Sequence, residues 1–474
     1  MNFLLLLPEI SVAILAGCII IIDLFVPERF KRSFPYVSIT GLSLIVVFYI
    51  FSGLPSSPSF LQNVIVVDHF TSFFRILFLL LGIGVLFASG EFVEKHIDKK
   101  GEYYALILIA VLATMLMAGA RELLTAFLAI ELLSFSLYVL VSITRTDQRS
   151  NESGMKYIIL GVLSSALFLF GISYVYGLLG TTIFDDIAQA TINAPVNLGL
   201  LFGITLIIVG FGFKVAAVPF HMWAPDVYEG APLPTTALLA ALAKAAVFAL
   251  FIRVFVTAFG PSISSWQTII LIIAGLTMTL GNLVALTQSN IKRLMAYSSI
   301  GQSGYMLMGI AAFSHLTISG LIFHISGYAL STIAAFFTII VYHNQTGHEE
   351  ITDYAGLAKR SPFLAISLMA SLFSLAGLPF FVGFATKFYF FTAVAAEGFL
   401  WLVSLAILNS VISLYYYLQI VRQMYIEPGT ETAPLMIGPT PRIVLGFLAI
   451  AITVLGIYPR FLVAGAELAA RTFF

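Results

Sequence analysis

Apolar runs of spanning length follow one another along this chain with so little polar sequence between them that nearly every residue must be accommodated in a bilayer. A transmembrane helix needs about 20 consecutive, mainly apolar residues. Fourteen runs meet that description, near residues 3–26, 34–53, 70–90, 103–119, 122–143, 155–179, 198–219, 236–259, 265–288, 295–313, 316–342, 362–396, 398–421 and 441–465. Lipid offers no partner for backbone N–H and C=O groups, so each run must satisfy its own by coiling into a helix. The expected fold class is an all-α polytopic membrane protein with about 14 transmembrane helices. Composition agrees: of 474 residues, 60% are hydrophobic and 10% charged, against about 25% charged in soluble domains.

Several functions are excluded at once. Lys and Arg number 23, as do Asp and Glu, so there is no field to attract a nucleic acid. The one cysteine, Cys18, rules out disulfides and clustered thiolate metal sites. The first apolar run has neither a basic flank nor a small-residue cleavage site, and is expected to stay as the first helix. The longest extramembrane segments, near 91–102, 180–197, 343–361 and 426–440, are too short to bury a core. The chemistry is therefore expected inside the membrane.

Basic residues give a check on the span count, because short cytoplasmic loops collect them. With the N-terminus outside, fifteen fall on the inner side, Arg29 to Arg442, and only Arg121, Arg460 and Arg471 on the outer side. Both termini are then expected on the outer face. The remaining five, Arg75, Lys214, Lys244, Arg253 and Lys387, lie within predicted spans. Arg75 and Arg253 sit near span ends, where snorkelling to the interface is the expectation.

Charge at bilayer depth costs at least a few kcal/mol and needs a reason to persist. Lys214, Lys244 and Lys387 are such charges, and Glu131, halfway along run 122–143, is a fourth. A buried carboxylate tends to protonate and a buried lysine to deprotonate, so Glu131 beside Lys214 would restore both charges. A static ion pair is one reading and a switchable one the other; Lys244 and Lys387 have no acidic partner in sequence.

Two runs are interrupted. Pro219, Pro225, Pro232 and Pro234 follow Lys214, and a helix reaching Pro219 is expected to break there. Gly377, Pro379 and Gly383 interrupt the twelfth run just before Lys387. Broken helices at corresponding places in two halves point to a transport site built from inverted repeats. Polar stripes at helical spacing support a hydrated path through the second half: Ser298, Gln302 and Tyr305; His324, Tyr328 and Ser331; Asn409, Ser413 and Tyr416. The competing account is hydrogen-bonding between helices. His324, mid-span, is a relay candidate. His221, beside Pro219, is either a relay member or a helix-end hydrogen-bonder. His315, His343 and His348 fall in predicted loops and carry no signal.

The stretches LTAFLAIELLSFSLYVLV, FKVAAVPFHMWAPDVYEGAPLPTTALLAALAKAA and GLPFFVGFATKF closely resemble the subunit N family of bacterial NADH:quinone oxidoreductase, respiratory complex I. The resemblance runs through most of the chain. It implies a membrane-arm subunit with three N-terminal helices (1–102), a first repeat of helices 4–8 (103–259), an inverted second repeat of helices 9–13 (265–421) and a last helix (441–465), with helices 7 and 12 broken. By motif, Glu131 is similar to the family's helix-five glutamate, Lys214 to its helix-seven lysine, Lys244 to its central lysine and Lys387 to the helix-twelve residue near the outward exit. His324, with Tyr328 on its face, matches the helix-eleven relay position.

The implied function is outward proton translocation across the bacterial inner membrane, coupled to quinone reduction elsewhere. FMN, iron–sulfur clusters and quinone are then expected in partner subunits, with no cofactor or redox site in this chain. The expected partners are the other membrane-arm subunits, including antiporter-like siblings, and lipid. The alternative is the large subunit of a multi-subunit cation/proton antiporter.

Overall fold

Eleven helices among the described residues are long and apolar enough to cross a membrane, and the three predicted runs missing from that set are the informative ones. The structure is a computed structural model and describes residues 3–53, 58–61, 63–193, 197–429 and 433–474. Parts of the predicted segments 180–197 and 426–440 lie outside them. Helices occupy every predicted run. The first group is α1 (Leu7–Phe25), α2 (Phe34–Phe51), α3 (His69–His96), α4 (Lys100–Gly119), α5 (Leu123–Val141) and α6 (Gln148–Leu179). Next come α7 (Leu198–Lys214), the short α8 (Trp223–Gly230) and α9 (Leu233–Thr257). The second half holds α10 (Ile263–Ala285), α11 (Ile291–Ala312), α12 (His315–Thr346), α13 (Pro362–Ala376), α14 (Val382–Ala396) and α15 (Leu400–Tyr425). The last two are α16 (Pro439–Ile457) and α17 (Arg460–Ala470), so the run predicted to end at 465 bends at Pro459 instead.

The three exceptions are runs 198–219 and 362–396, both cut into shorter helices, and run 295–313, whose helix α11 is less apolar because it carries Ser298, Ser299, Gln302, Ser303 and Tyr305. These segments carry Lys214, Lys387 and the serine-rich face of α11. α9 is buried along its whole apolar length and α12 along nearly all of it, whereas α1 and α16 are mostly exposed. The two buried helices form the axis around which the others pack.

Lipid tails remove the usual hydrophobic drive for helix association, so close packing and interhelical hydrogen bonds must supply it. α10 and α11 show how. A Cβ on Gly304 would sit 2.3 Å from the Met278 nitrogen, and one on Gly281 would sit 2.5 Å from the Gly301 nitrogen. Only glycine permits that approach. Beside it Asn282 bridges Tyr305 Oη at 3.1 Å and Tyr416 Oη at 3.0 Å, so part of the polar striping joins helices, as the competing account held.

The first break begins earlier than Pro219. α7 ends at Lys214, and Ala216 takes a left-handed conformation (φ 57°). The freed carbonyls find partners: Trp223 Nε1 donates to Phe213 O at 2.9 Å and Ser303 Oγ to Val215 O at 2.7 Å. The helix thus stops one turn before Pro219, whose ring would meet the Val215 carbonyl, and these donors satisfy the carbonyls left free there. The second break follows Gly377 (φ 88°). Its two half-helices meet so closely that a Cβ on Gly383 would fall 1.7 Å from Ser374 O.

Arg75 and Arg253 correct the snorkelling expectation. Each is buried and paired with a carboxylate: Arg75 Nε lies 2.6 Å from Glu9, and Arg253 grips Asp68 through both terminal nitrogens at 2.6 and 2.9 Å. Asp68 also caps α3 by accepting from Thr71 N at 2.7 Å, so the pair ties α9 to the start of α3. It sits beside a two-stranded hairpin, Ser59–Leu61 with Ile65–Val67.

Candidate functional site: a buried polar axis

α5, α6 and α7 converge on the first charged cluster. Glu131 Oε1 lies 3.5 Å from Lys214 Nζ and accepts from Ser165 Oγ at 2.6 Å; Lys214 also donates to Ser134 Oγ at 2.6 Å. Lys214 ends α7, so its carboxylate partner must come from other helices. At 3.5 Å and an effective dielectric of about 20, the attraction is roughly 5 kcal/mol. That is about twice what one charge gains across about 100 mV, so opening this pair matters on the scale of the membrane potential.

Lys244 follows within the same enclosure. A cavity of ≈ 20 Å³ is lined by Lys214, Lys244, Ser134, Tyr157 and Tyr228 among others, which is room for about one water. Lys244 Nζ donates to Ser299 O at 2.6 Å and to Ser299 Oγ. Among the described residues no carboxylate pairs with it. Immediately before it, α9 widens into a π-helical turn over Leu238–Ala243. Such a turn leaves a carbonyl unused by the helix and is common at functional sites; here Ala240 O accepts from Tyr328 Oη at 3.0 Å.

Tyr328 is the link to the second half. Its hydroxyl is 2.9 Å from Ser299 Oγ, and it also lines a second cavity of ≈ 10 Å³ with Gln302, His324, Ser331, Thr386 and Lys387. His324 Nδ1 is 3.2 Å from Thr386 Oγ1, its ring stacks on Phe390, and its buried Nε2 has no partner among the described residues. Lys387, on α14, reaches back across the break: Nζ donates to Leu375 O and Ala376 O, both at 3.0 Å, and to Ser410 Oγ at 3.1 Å. These carbonyls close α13, whose C-terminal dipole favours a cation there.

Six of the seven residues singled out in sequence, Glu131, Lys214, Lys244, Tyr328, His324 and Lys387, thus fall on one axis. His221 does not join it. It lies half-buried in the first break, its Nδ1 without a partner among the described residues, and it is absent from the linings of both cavities. Sequence reasoning missed the serines Ser134, Ser165 and Ser299. Ser134 was within reach, three residues from Glu131 on the same helix face; Ser299 belongs to no stripe and only the fold brings it to Lys244.

A family model described as "NADH:quinone oxidoreductase/Mrp antiporter, TM" matches residues 120–413, which include every residue of the axis. NADH-quinone oxidoreductase subunit N of Moorella thermoacetica is 41% identical over 474 residues, covering 100% of this chain and 99% of that protein. The chain belongs to the subunit N family. Its counterpart from Desulforamulus reducens is 38% identical over 472 residues, again covering 100% and 99% of the two chains. Among solved structures, a chain of respiratory complex I from Thermus thermophilus with bound aureothin superposes with a TM-score of 0.81 at 27% identity, covering 97% of this chain and 99% of its own. A chain of the Mrp complex from Dietzia shares the fold at 20% identity, with a TM-score of 0.87 over 100% and 98% of the two chains. Membership of the subunit N family agrees with a multi-pass membrane protein whose charged residues lie inside the bundle.

Proposed function

We propose that this chain is the proton-translocating subunit N of an NADH:quinone oxidoreductase, and that it moves protons outward along the axis from Glu131 to Lys387. The observation that carries the reading is the continuity of that axis: two amines at helix breaks, a third between them, joined by Ser299 and Tyr328 and by spaces of one-water size. Separating Lys214 from Glu131 lowers the field that holds Lys214 charged, and a positive Lys214 released toward Lys244 drives the proton of Lys244 onward. Tyr328 and His324 carry it to the second cavity, and Lys387 releases it on the outer side. The distribution of Lys and Arg supports an inner-membrane protein with both termini on the outer face.

In this reading the chain is a non-redox subunit of a translocase. Electrons pass through FMN, iron–sulfur clusters and quinone held by partner subunits, and the other membrane-arm subunits pack against it. The fold shared with the Mrp chain keeps a cation/proton antiporter as the second reading; full-length identity of 41% to a subunit N favours the first. Purifying the native assembly through a tag on this chain separates them. Co-purifying flavin and iron–sulfur subunits, with proton uptake into vesicles driven by NADH, is the expected result. Co-purification of small membrane proteins alone would establish the antiporter instead.

A further inference from the structure

A relay that starts at a buried amine still needs a supply of protons. At about pH 8 hydronium is roughly 10 nM, so an encounter limit of about 10⁹–10¹⁰ M⁻¹ s⁻¹ delivers on the order of 10–100 protons per second to a single group. Typical enzyme turnover, about 1–10³ s⁻¹, spans that range and extends about tenfold above it. Direct capture by Lys244, which is 4% exposed, would therefore limit a fast turnover.

A cleft of ≈ 420 Å³ opens at the predicted inner face, outside the axis described above. Five carboxylates line it, Asp147, Glu229, Glu349, Glu350 and Asp353, against the fixed cations Arg149 and Lys292 and against Arg293, which reaches Glu229 at 2.8 Å from outside the cleft, while Lys95 beside His96 pairs with Glu91. A concave surface with such an excess focuses positive charge. Three imidazoles stand among them: His96 from α3, His343 from α12 and His348 from the segment after it. Glu349 is the hub, 2.7 Å from Lys292 Nζ, 3.8 Å from His343 Nδ1 and 3.5 Å from Asn290 Nδ2. The His96 and His343 rings are 6.0 Å apart, and His348 lies 3.7 Å from Asp353. An imidazole can take up and release a proton near neutral pH, which suits these side chains to passing protons on from the carboxylates beside them.

The cleft ends where the relay begins. Its floor is Gly230–Leu233, the turn from α8 into α9, the helix that carries Lys244. α8 is the dividing wall. Glu229 lines the cleft, and its neighbour Tyr228 lines the cavity shared by Lys214 and Lys244, with its hydroxyl 3.4 Å from Ser299 Oγ.

We propose that this cleft is the proton-collecting vestibule of the relay, in which the carboxylates and imidazoles gather protons from the inner aqueous phase and hand them past α8, by way of Tyr228 and Ser299, to Lys244. The inference rests on the outward proton translocation proposed above. Each transfer moves a proton between oxygen and nitrogen acceptors and needs no other reactant.

The test uses the assembled complex in proteoliposomes with NADH-driven pumping followed against pH and buffer. The double variant His343→Gln/Glu349→Gln is expected to pump at least threefold more slowly than the parent at alkaline pH in weak buffer, and to recover at mildly acid pH or in concentrated imidazole, which delivers protons in place of the vestibule. A second variant, Asp147→Asn/Glu350→Gln, leaves the Lys292–Glu349 pair intact and is expected to show a smaller loss with the same dependence. Parent-like rates at alkaline pH in both variants overturn the proposal, and so does a loss that neither acid nor buffer restores. Lys244→Ala is measured alongside. Normal pumping by that variant would remove the relay itself, whereas its failure to pump beside fully active vestibule variants would leave the relay standing without this intake.

Discussion

Lys214 and Lys387 each sit at a broken helix, yet Lys214 faces a carboxylate from a neighbouring helix and Lys387 faces the carbonyl end of its own broken span. The partner of Lys214 carries a full charge and can itself take a proton or move away. The partners of Lys387 are backbone dipoles, equivalent to roughly half a charge at a helix end, and they cannot titrate. In the proposed relay, the first break is the one an acid switches and the second the one that holds a cation until water reaches it. Lys244, between them, has only Ser299 as its described partner and is the position most easily driven by its neighbours.

That contrast can be broken by experiment. The largest effect is expected from Glu131→Gln, which leaves Lys214 without its counter-charge. Removing one member of a buried pair costs about 3–5 kcal/mol, and pumping driven by NADH is expected to fall by an order of magnitude or more; a variant that pumps like the parent would make the first break as passive as the second. Gly383→Ala tests the second break alone. The new methyl would overlap Ser374 O, and overpacking of this kind costs about 1–3 kcal/mol, read as a lower temperature of dissociation for the purified complex. Lys387→Met removes the cation from the Leu375 and Ala376 carbonyls, which keep Gln302 Nε2 at 3.2 Å and Ser410 Oγ at 3.3 Å as donors, so the loss is that of hydrogen bonds to a charged group, about 1.5–3 kcal/mol. Its stability loss is expected to be smaller than that of Glu131→Gln, and the reverse order would mean that the dipole outweighs the ion pair.

The smallest effect concerns the solvent-facing edge of α8, beyond the first break. Burial opposes ionisation of Asp226, but hydrogen bonds and charge from Lys156 and Arg293 outweigh it and hold the carboxyl below the usual range. A depressed carboxylate stabilises the fold above its unfolded pKa of about 4, and that contribution is lost as pH falls below it. Asp226→Asn is expected to cost less than about 1 kcal/mol, as exposed pairs do, and to flatten the acid limb of a stability profile for the solubilised complex.

The spans and both interruptions were legible in sequence, because spanning helices and helix-breaking residues act through composition and local backbone chemistry. The lysines stood out for the same reason: charge in an apolar run is conspicuous. What pairs with them was not legible. Glu9 with Arg75, and Asp68 with Arg253, join residues 66 and 185 positions apart, and nothing local distinguishes a paired arginine from one that snorkels. The first break is expected at Pro219 because proline is visible, and the helix ends one turn earlier, at Lys214, with its freed carbonyls met by Trp223 and Ser303, which the sequence does not reveal. His343 and His348 were silent in sequence and gain meaning only from Glu349 and Asp353 beside them.

The central claim is that amines held in a dry bundle can gain and lose protons in sequence. Lys244→Met tests it most directly, since methionine keeps much of the length and packing of the side chain while removing the amine that lies between the two breaks. In the assembled complex, with co-purification of all subunits confirmed, proton translocation per NADH oxidised is expected to collapse. A stoichiometry equal to that of the parent would contradict the account.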